Sequence, residues 1–564
     1  MKYMTINNRN VSFEDEKNVL DVIRKHGIEL PTFCYHSELS TYGACRMCVV
    51  EDDKGKIFAS CSEVPKDGMV IYTNTPKLQH HRKMILELLI ASHCTDCTTC
   101  RTNGDCILLK LANQLGVNYI RFENDKEQRE MDKTSNAIVF DANKCILCGD
   151  CVRTCSELQG VGVFEFVNRG YDMRVTTAFD RKLEDTNCVE CGQCRTVCPT
   201  GAITLKQNIH PVWKGLNDPN TKVIGMIAPS VRVAVGTKFG MPEGANAKGK
   251  LVAALRRMGF DEVYDTNFAA DLTVMEESAE LLERLEKNEN IPLFTSCCPA
   301  WVNYCETFYP ELAKHLSTCR SPQGMFGGLI QEYEKNHVEN DKNVMVVSIM
   351  PCTAKKGEIL RPEHATFDGK RDIDYVLTTT EVVRMIRESG INLQDIPAEA
   401  MDMPFGVASG GGTIFGVTGG VTEAVLRRIM NSSKADVLES ISFTGIRGND
   451  AVKEAQVQVG DRTVNIAVVN GLSNAKQVLD DIRAGNSKYD FVEVMSCRNG
   501  CIAGGGQPLP ANQRAKDART EGIYELDSDN QIRISNENPF VDAVYDTIIK
   551  NQSHKLLHNE KNYD

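Results

Sequence analysis

The chain opens with polar and apolar residues in alternation, Thr5-Ile-Asn-Asn-Arg-Asn-Val-Ser-Phe13, and the pattern returns at Ile57-Phe-Ala-Ser-Cys61 and Met69-Val-Ile-Tyr72. A period of two predicts strands with one covered face, whereas the interposed Val19-Leu-Asp-Val-Ile-Arg-Lys-His26 has helical spacing. Residues 1–78 therefore read as a small mixed sheet with one helix. A longer helical stretch, Lys77-Leu-Gln-His-His-Arg-Lys-Met-Ile-Leu-Glu-Leu-Leu-Ile90, follows. Beyond residue 209 the character changes: short β-prone runs at 223–229, 291–298, 344–352, 466–471 and 491–497 alternate with helical stretches. Such alternation predicts α/β layering, with mostly parallel sheets flanked by helices.

Length refines this picture into domains. At 564 residues the chain exceeds what one core holds, roughly 250–300 residues. Changes in pattern suggest boundaries at 1–78, 79–120, 121–208 and 209–564, with small α+β modules ahead of a two-lobed α/β domain. The 42% apolar and 25% charged content is that of an ordinary globular protein. A net charge of -12 without a long basic run disfavours nonspecific nucleic-acid binding. The N-terminus lacks the apolar core of a signal peptide, and no stretch approaches the ~20 apolar residues of a membrane helix, so a cytoplasmic protein is expected. In that compartment the 23 cysteines should be thiols or metal ligands rather than disulfides.

Cysteine spacing adds the chemistry. Cys34, Cys45, Cys48 and Cys61 supply four thiolates, a set suited to a 2Fe-2S cluster or to tetrahedral zinc. After the long helix come His93, Cys97, Cys100 and Cys106 at H-x3-C-x2-C-x5-C spacing, and Cys94 competes with Cys97 as the first thiolate. An internal repeat follows: Cys145, Cys148, Cys151 and Cys155 recur in spacing as Cys188, Cys191, Cys194 and Cys198. This is the two-cluster ferredoxin pattern, in which the fourth cysteine of each run serves the other cluster. One cubane would take Cys145, Cys148, Cys151 and Cys198, the other Cys188, Cys191, Cys194 and Cys155. A zinc ribbon leaves both fourth cysteines unexplained.

Three later segments end β-prone runs in cysteine: Thr295-Ser-Cys297-Cys298-Pro-Ala-Trp301, Met350-Pro-Cys352-Thr-Ala-Lys355-Lys356 and Glu493-Val-Met-Ser-Cys497-Arg-Asn-Gly-Cys501. Open α/β sheets place ligands at strand carboxyl ends. These segments resemble the three signatures of the FeFe-hydrogenases, as do Asp265-Thr-Asn-Phe-Ala-Ala-Asp-Leu-Thr-Val-Met-Glu-Glu277 and the glycine-rich 409–420. The N-terminal modules are similar to those of the same family and of the large iron-sulfur subunit of respiratory NADH dehydrogenases.

The resemblance implies reversible reduction of protons to hydrogen. It implies one 2Fe-2S cluster, three accessory 4Fe-4S clusters and an H-cluster, a cubane joined to a two-iron unit bearing CO, cyanide and azadithiolate. Cys298, Cys352, Cys497 and Cys501 would hold the cubane, with Cys501 bridging to the two-iron unit. Lys355 would donate to one cyanide and the backbone around Pro229 and Ser230 to the other, with Gln323, Met350, Phe415 and Met495 packed nearby. Cys297, Glu277, Ser317 and Glu280 would pass protons, with Arg284 holding the outer end. Helical glutamates are ordinarily solvated, and methionines near a site are ordinarily core filling. The family more often carries other residues at Ala300, Arg320, Gly324, Ser496, Arg498 and Asn499. Cys305 and Cys319 read as buried thiols.

The implied electron partners are ferredoxin or flavodoxin, or flavoprotein subunits of a multimeric NAD(P)-linked or bifurcating hydrogenase, because the chain has no dinucleotide fingerprint of its own. Hydrogenase maturation enzymes would assemble the H-cluster. A non-catalytic electron-transfer subunit would share the first modules but not Cys297 and the C-terminal cysteines. A hydrogen sensor would carry an altered relay or an added signalling domain.

Overall fold

The computed structural model describes residues 1–123, 126–337, 342–367, 369–430, 447–448 and 450–559. It divides into two units, 1–186 with 193–204, and 187–192 with 205–564.

In the first unit the alternating run becomes an antiparallel hairpin of β1 (Lys2–Ile6) and β2 (Arg9–Phe13). Asn7 and Asn8 turn it at φ 50° and 65°, the left-handed region that a tight hairpin demands and that asparagine tolerates. With β3 (Val49–Asp52), β4 (Ile57–Ala59) and β5 (Val70–Tyr72) they form one sheet in the order β2-β1-β5-β3-β4. Helix α1 (Val19–Lys25), capped by the Asn18 side chain accepting from Asp21 N, buries Val19, Leu20, Val22 and Ile23 in the core that holds Met4, Ile6, Phe13 and Ile71. Helix α2 (Pro76–Ala91) starts with proline in its first turn and Thr75 accepting from Leu78 N. Its buried Arg82 donates to the carbonyls of Met47, Val49 and Thr73 at 3.2, 2.6 and 2.8 Å, which ties the helix to the loop carrying Cys45 and Cys48. Helix α3 (Ile107–Gln114) begins directly after Cys106. The hairpin of β6 (Phe164–Val167) and β7 (Arg174–Thr177) lies between the two halves of the cysteine repeat.

The second unit contains two four-stranded sheets. One is wholly parallel: β8 (Thr221–Ile227) lies between β9 (Glu262–Asp265) and β11 (Asn343–Met350), with β12 (Tyr375–Thr378) beyond β11. The other runs β10 (Leu293–Phe294), β15 (Phe491–Met495), β14 (Arg462–Asn470), β13 (Val452–Val459), and only its last pair is antiparallel. Their strands are near-continuous apolar runs because helices cover the faces, among them α4 (Lys248–Met258), α5 (Thr266–Lys287) and α7 (Pro322–Glu334), while α6 (Pro299–Phe308) follows β10. The parallel strands end together, so the segments following β8, β10, β11 and β15 gather around one region. No helix among the described residues is long and apolar enough to cross a membrane.

Candidate functional site

That region is a buried cavity. Its wall contains Cys298 from the segment after β10, Cys352 from that after β11, and Cys497 and Cys501 from that after β15. Pro229 and Ser230 after β8, Gln323 on α7, and Met350, Phe415, Met495, Lys355 and Cys297 complete most of the lining. The structure thus brings every residue expected at the H-cluster to one cavity. Burial pushes the thiols of Cys298, Cys497 and Cys501 upward and that of Cys352 up to about 12. Four thiols that cannot ionise among themselves, in an apolar cavity with one lysine, suit metal cations that would draw off their protons. The donor set therefore fits an iron-sulfur cubane.

Backbone geometry explains the glycines. Cβ atoms at Gly500 and Gly504 would lie 2.6 Å from Thr418 N and 2.3 Å from Pro351 O, so the 497–506 loop can pack here only as glycine at these points. Glu493, fully buried on β15, accepts from Gly419 N and from the N–H and hydroxyl of Thr422, at 2.7–2.8 Å. This carboxylate caps the helix Gly420–Ile429 and locks the glycine-rich stretch to the cysteine-bearing strand. Sequence reasoning passed over it. An acid amid Phe491-Val-Glu-Val-Met495 was its signal, since a central strand excludes an unpaired charge.

Lys355 opens the short helix α8 (Lys355–Glu358) and reaches the cavity wall. Its Nζ donates to Ser321 Oγ at 2.7 Å, to Cys297 O at 3.3 Å and to Glu358 at 2.9–3.0 Å. Gln323 Nε2 also donates to Glu358, at 2.7 Å, and Ser348 Oγ donates to Gln323 Oε1. Although burial opposes it, Glu358 holds the ammonium in its charged form. Glu358 was absent from the sequence reading; its i+3 spacing from Lys355 was the available signal. Replacing Lys355 by methionine strands the Glu358 carboxylate, so a destabilisation of about 3–5 kcal/mol is expected. Lys355→Met/Glu358→Gln should recover much of it, as thermal unfolding of the two variants would show.

Behind Cys297 stands α5. Its Asp265 N-cap accepts from Asn267 N, and the helix carries Glu277, Glu280 and Arg284. Glu277 is fully buried, and neither carboxylate oxygen makes a close hydrogen bond among the described residues. Burial and then the Glu280 charge raise it to about 8, and the nearby Ser296 N–H and Ser317 hydroxyl offset only part of this. Burial pushes the Cys297 thiol well up, with Glu277 as the second cause. Ser317 Oγ donates to Glu280 Oε2 at 2.7 Å, and Arg284 pairs with Glu280 Oε1 at 2.6 Å. Arg284 also donates to the carbonyls of Asn290, His315 and Leu316. The order Cys297, Glu277, Ser317, Glu280, Arg284 runs outward to a second cavity of about 280 Å³ lined by Arg284, Ser317, Thr318 and Glu358. A neutral thiol, a carboxyl poised near 8 and a paired carboxylate can hand a proton between that cavity and the inner one.

The positions where the family more often differs have local reasons. A Cβ at Gly324 would come within 2.4 Å of His364 Cε1, so the glycine makes room for that ring. Arg320 donates to Thr366 Oγ1, Asp372 Oδ2 and His558 O. Asn499 adopts φ 73°, and its N–H donates to Asn470 Oδ1 at 2.8 Å. Ala300 and Ser496 are buried, and nothing here explains the choice of Arg498. Cys305 and Cys319 are buried, Cys319 with its sulfur 3.8 Å from Glu280 Oε2.

In the first unit, Cys34 with Cys45 and Cys48 with Cys61 form two proton-sharing thiol pairs, which makes Cys45 and Cys48 the readier to ionise. Backbone N–H groups of Phe33 and Cys45 donate to the sulfurs of Cys45 and Cys34. Four cysteines brought together match the ligand count of a 2Fe-2S cluster. A separate cavity is lined by Cys145, Cys148, Cys151 and Cys198, the crossed set that the repeat predicts. Another is lined by His93, Cys94, Cys97, Cys100 and Cys106. His93 Nε2 is buried there without a partner, which suits a metal bond. Cys155 and Cys194 belong to the first unit, Cys188 and Cys191 to the second.

Comparison with known proteins gives the same assignment. The family model described as iron only hydrogenase large subunit, C-terminal domain, matches residues 221–505. The chain is 38% identical to the NADP-reducing hydrogenase subunit HndD of Solidesulfovibrio fructosivorans, across 99% of this chain and 98% of that one. The chain belongs to the iron-only hydrogenase family. Iron hydrogenase 1 of Clostridium pasteurianum, 35% identical, aligns over 99% of both chains. A solved [FeFe]-hydrogenase HydA1 from Chlamydomonas reinhardtii, in a variant form, superposes with a TM-score of 0.53 at 35% identity, covering 62% of this chain and 98% of that one. Ahead of the hydrogenase domain, a 2Fe-2S iron-sulfur cluster binding domain matches 3–76, the NADH-ubiquinone oxidoreductase-G iron-sulfur binding region 82–121 and a 4Fe-4S dicluster domain 116–202. An iron hydrogenase small subunit model matches 513–560, a stretch that the sequence reading had left within the catalytic domain. This is a multi-cluster FeFe-hydrogenase chain, an oxidoreductase acting on hydrogen.

Proposed function

We propose that the chain reversibly combines two protons and two electrons into molecular hydrogen. The observation that carries this reading is the single cavity shared by Cys298, Cys352, Cys497, Cys501 and Cys297, with Glu277 directly behind. Cys298, Cys352, Cys497 and Cys501 would hold the H-cluster, which when bound would supply the redox chemistry on hydrogen. Lys355 would present a cation to one cyanide, the Pro229–Ser230 backbone would line the other side, and Gln323, Met350, Phe415 and Met495 would keep the pocket dry. Cys297 hands a proton across the inner wall, Glu277 and Ser317 receive it, and Glu280 with Arg284 exchanges it with the outer cavity. Cys34, Cys45, Cys48 and Cys61 would hold a 2Fe-2S cluster, His93, Cys97, Cys100 and Cys106 a cubane, and the repeated cysteine runs two ferredoxin-type cubanes, which together would supply electron transfer.

Infrared spectra should show iron-bound CO and cyanide bands after coexpression with maturation enzymes; active protein lacking them would overturn the site assignment. Ferredoxin or flavodoxin can serve as electron partner. The full-length likeness to a subunit named NADP-reducing favours flavoprotein partner subunits instead. Purification from the native cytoplasm separates the two readings: copurifying flavin-bearing chains and NAD(P)-dependent hydrogen turnover support the second, and a single chain active with reduced ferredoxin supports the first.

A further inference from the structure

The cavity of the histidine-containing module has one donor too many. A cubane takes four protein ligands, yet five candidate donors line this cavity: His93, Cys94, Cys97, Cys100 and Cys106. Spacing alone makes Cys94 a spare. Its surroundings are those of a ligand. The Cys94 backbone is fixed by its own N–H donating to Asn143 O at 3.1 Å. Lys144, on the same cavity wall and paired with Asp141 at 3.0 Å, sets a positive charge beside Cys94 and Cys100. Gly201 packs against the same wall, where a Cβ would lie 2.8 Å from Cys100 Sγ, so only glycine leaves that sulfur its place. His93 contributes an Nε2 with no partner among the described residues, an orphaned atom that a metal bond would satisfy.

We propose that Cys94 is an exchangeable ligand of this cluster, able to take the iron held by His93, so that the module exists in a histidine-plus-three-cysteine form and an all-cysteine form. The inference rests on the cluster assignment above. In the exchange the iron–Nε2 bond breaks and an iron–Sγ bond forms. The Cys94 thiol gives up its proton, which the released imidazole accepts at Nε2 or passes to solvent. No electron is transferred. Thiolate in place of neutral imidazole adds a negative charge to the cluster and lowers its potential. The module then passes from an electron acceptor of higher potential to one of lower potential.

The test compares the parent with His93→Ala, Cys94→Ser and the double variant, each as the full chain. Iron and acid-labile sulfide content, electron paramagnetic resonance of the reduced clusters and redox titration are the readouts, and the remaining clusters serve as the control for folding. His93→Ala should keep its iron, with altered g-values and a more negative midpoint for one cluster. Cys94→Ser should keep the parent signal, and the double variant should lose one cubane of iron. Loss of that cubane from His93→Ala alone, its retention in the double variant, or its loss from Cys94→Ser alone would each overturn the exchange. A parent chain lacking this cubane altogether would instead overturn the cluster assignment beneath it.

Discussion

Cys297→Ala should lower hydrogen turnover by about 10²- to 10⁴-fold, the range a positioned proton-transfer group contributes, while the CO and cyanide bands and the iron content stay at parent levels. The thiol lines the cavity beside Cys298 but is additional to the four cysteines that a cubane requires. Its removal interrupts proton delivery and leaves the metal site assembled. Cys297→Asp, which restores an ionisable group, should recover part of the rate. Parent-like turnover in the alanine variant would remove Cys297 from the relay.

The second large effect is at Glu277. Its carboxyl has an ordinary value of 4.5 and stands at about 8 in the fold. Between those values the folded chain holds a proton that the unfolded chain has released, so stability falls as pH rises through the interval. Below about 4.5 the penalty is absent; above about 8 it is complete, on the order of 5 kcal/mol. Glu277→Gln keeps the shape and removes the titration. The glutamine variant should thus melt at a higher temperature than the parent above pH 8 and at nearly the same temperature near pH 5, while turnover falls by about 10²-fold or more. Equal melting curves across that range would mean that Glu277 is not buried uncompensated, and full activity would take it out of the relay.

The two effects together describe a site maintained against stability. The pair of Glu277 and Glu280 on one helix face costs the fold energy, and Arg284 offsets only the outer member. Glu358 and Lys355 are also buried near the inner cavity, but there each charge has its partner.

The iron-sulfur modules were readable from the chain because ligand spacing is local. Cys145, Cys148 and Cys151 come from one short loop, and even the crossing to Cys198 follows from the repeat. The small mixed sheet and the parallel sheets were likewise visible in periods of two and in strand-helix alternation, whereas the turn at Asn7 and Asn8 inside the first alternating run was not. The antiparallel pair of β13 and β14 closing the second sheet was not, because direction is set by which neighbour a strand meets. Glu358, Glu493 and the ring of His364 beside Gly324 also escaped notice, since each matters only through a residue distant in the chain or across a helix turn.

The sequence by itself determined which atoms are offered to metal: soft donors at intervals that a loop can close, in an order that matches one family. The tertiary structure decided what those donors and their neighbours are charged with. Whether Glu277 holds a proton, whether Lys355 keeps one and whether a cysteine thiol stays neutral depend on burial and on partners brought from other strands, and no spacing along the chain encodes the distance between them.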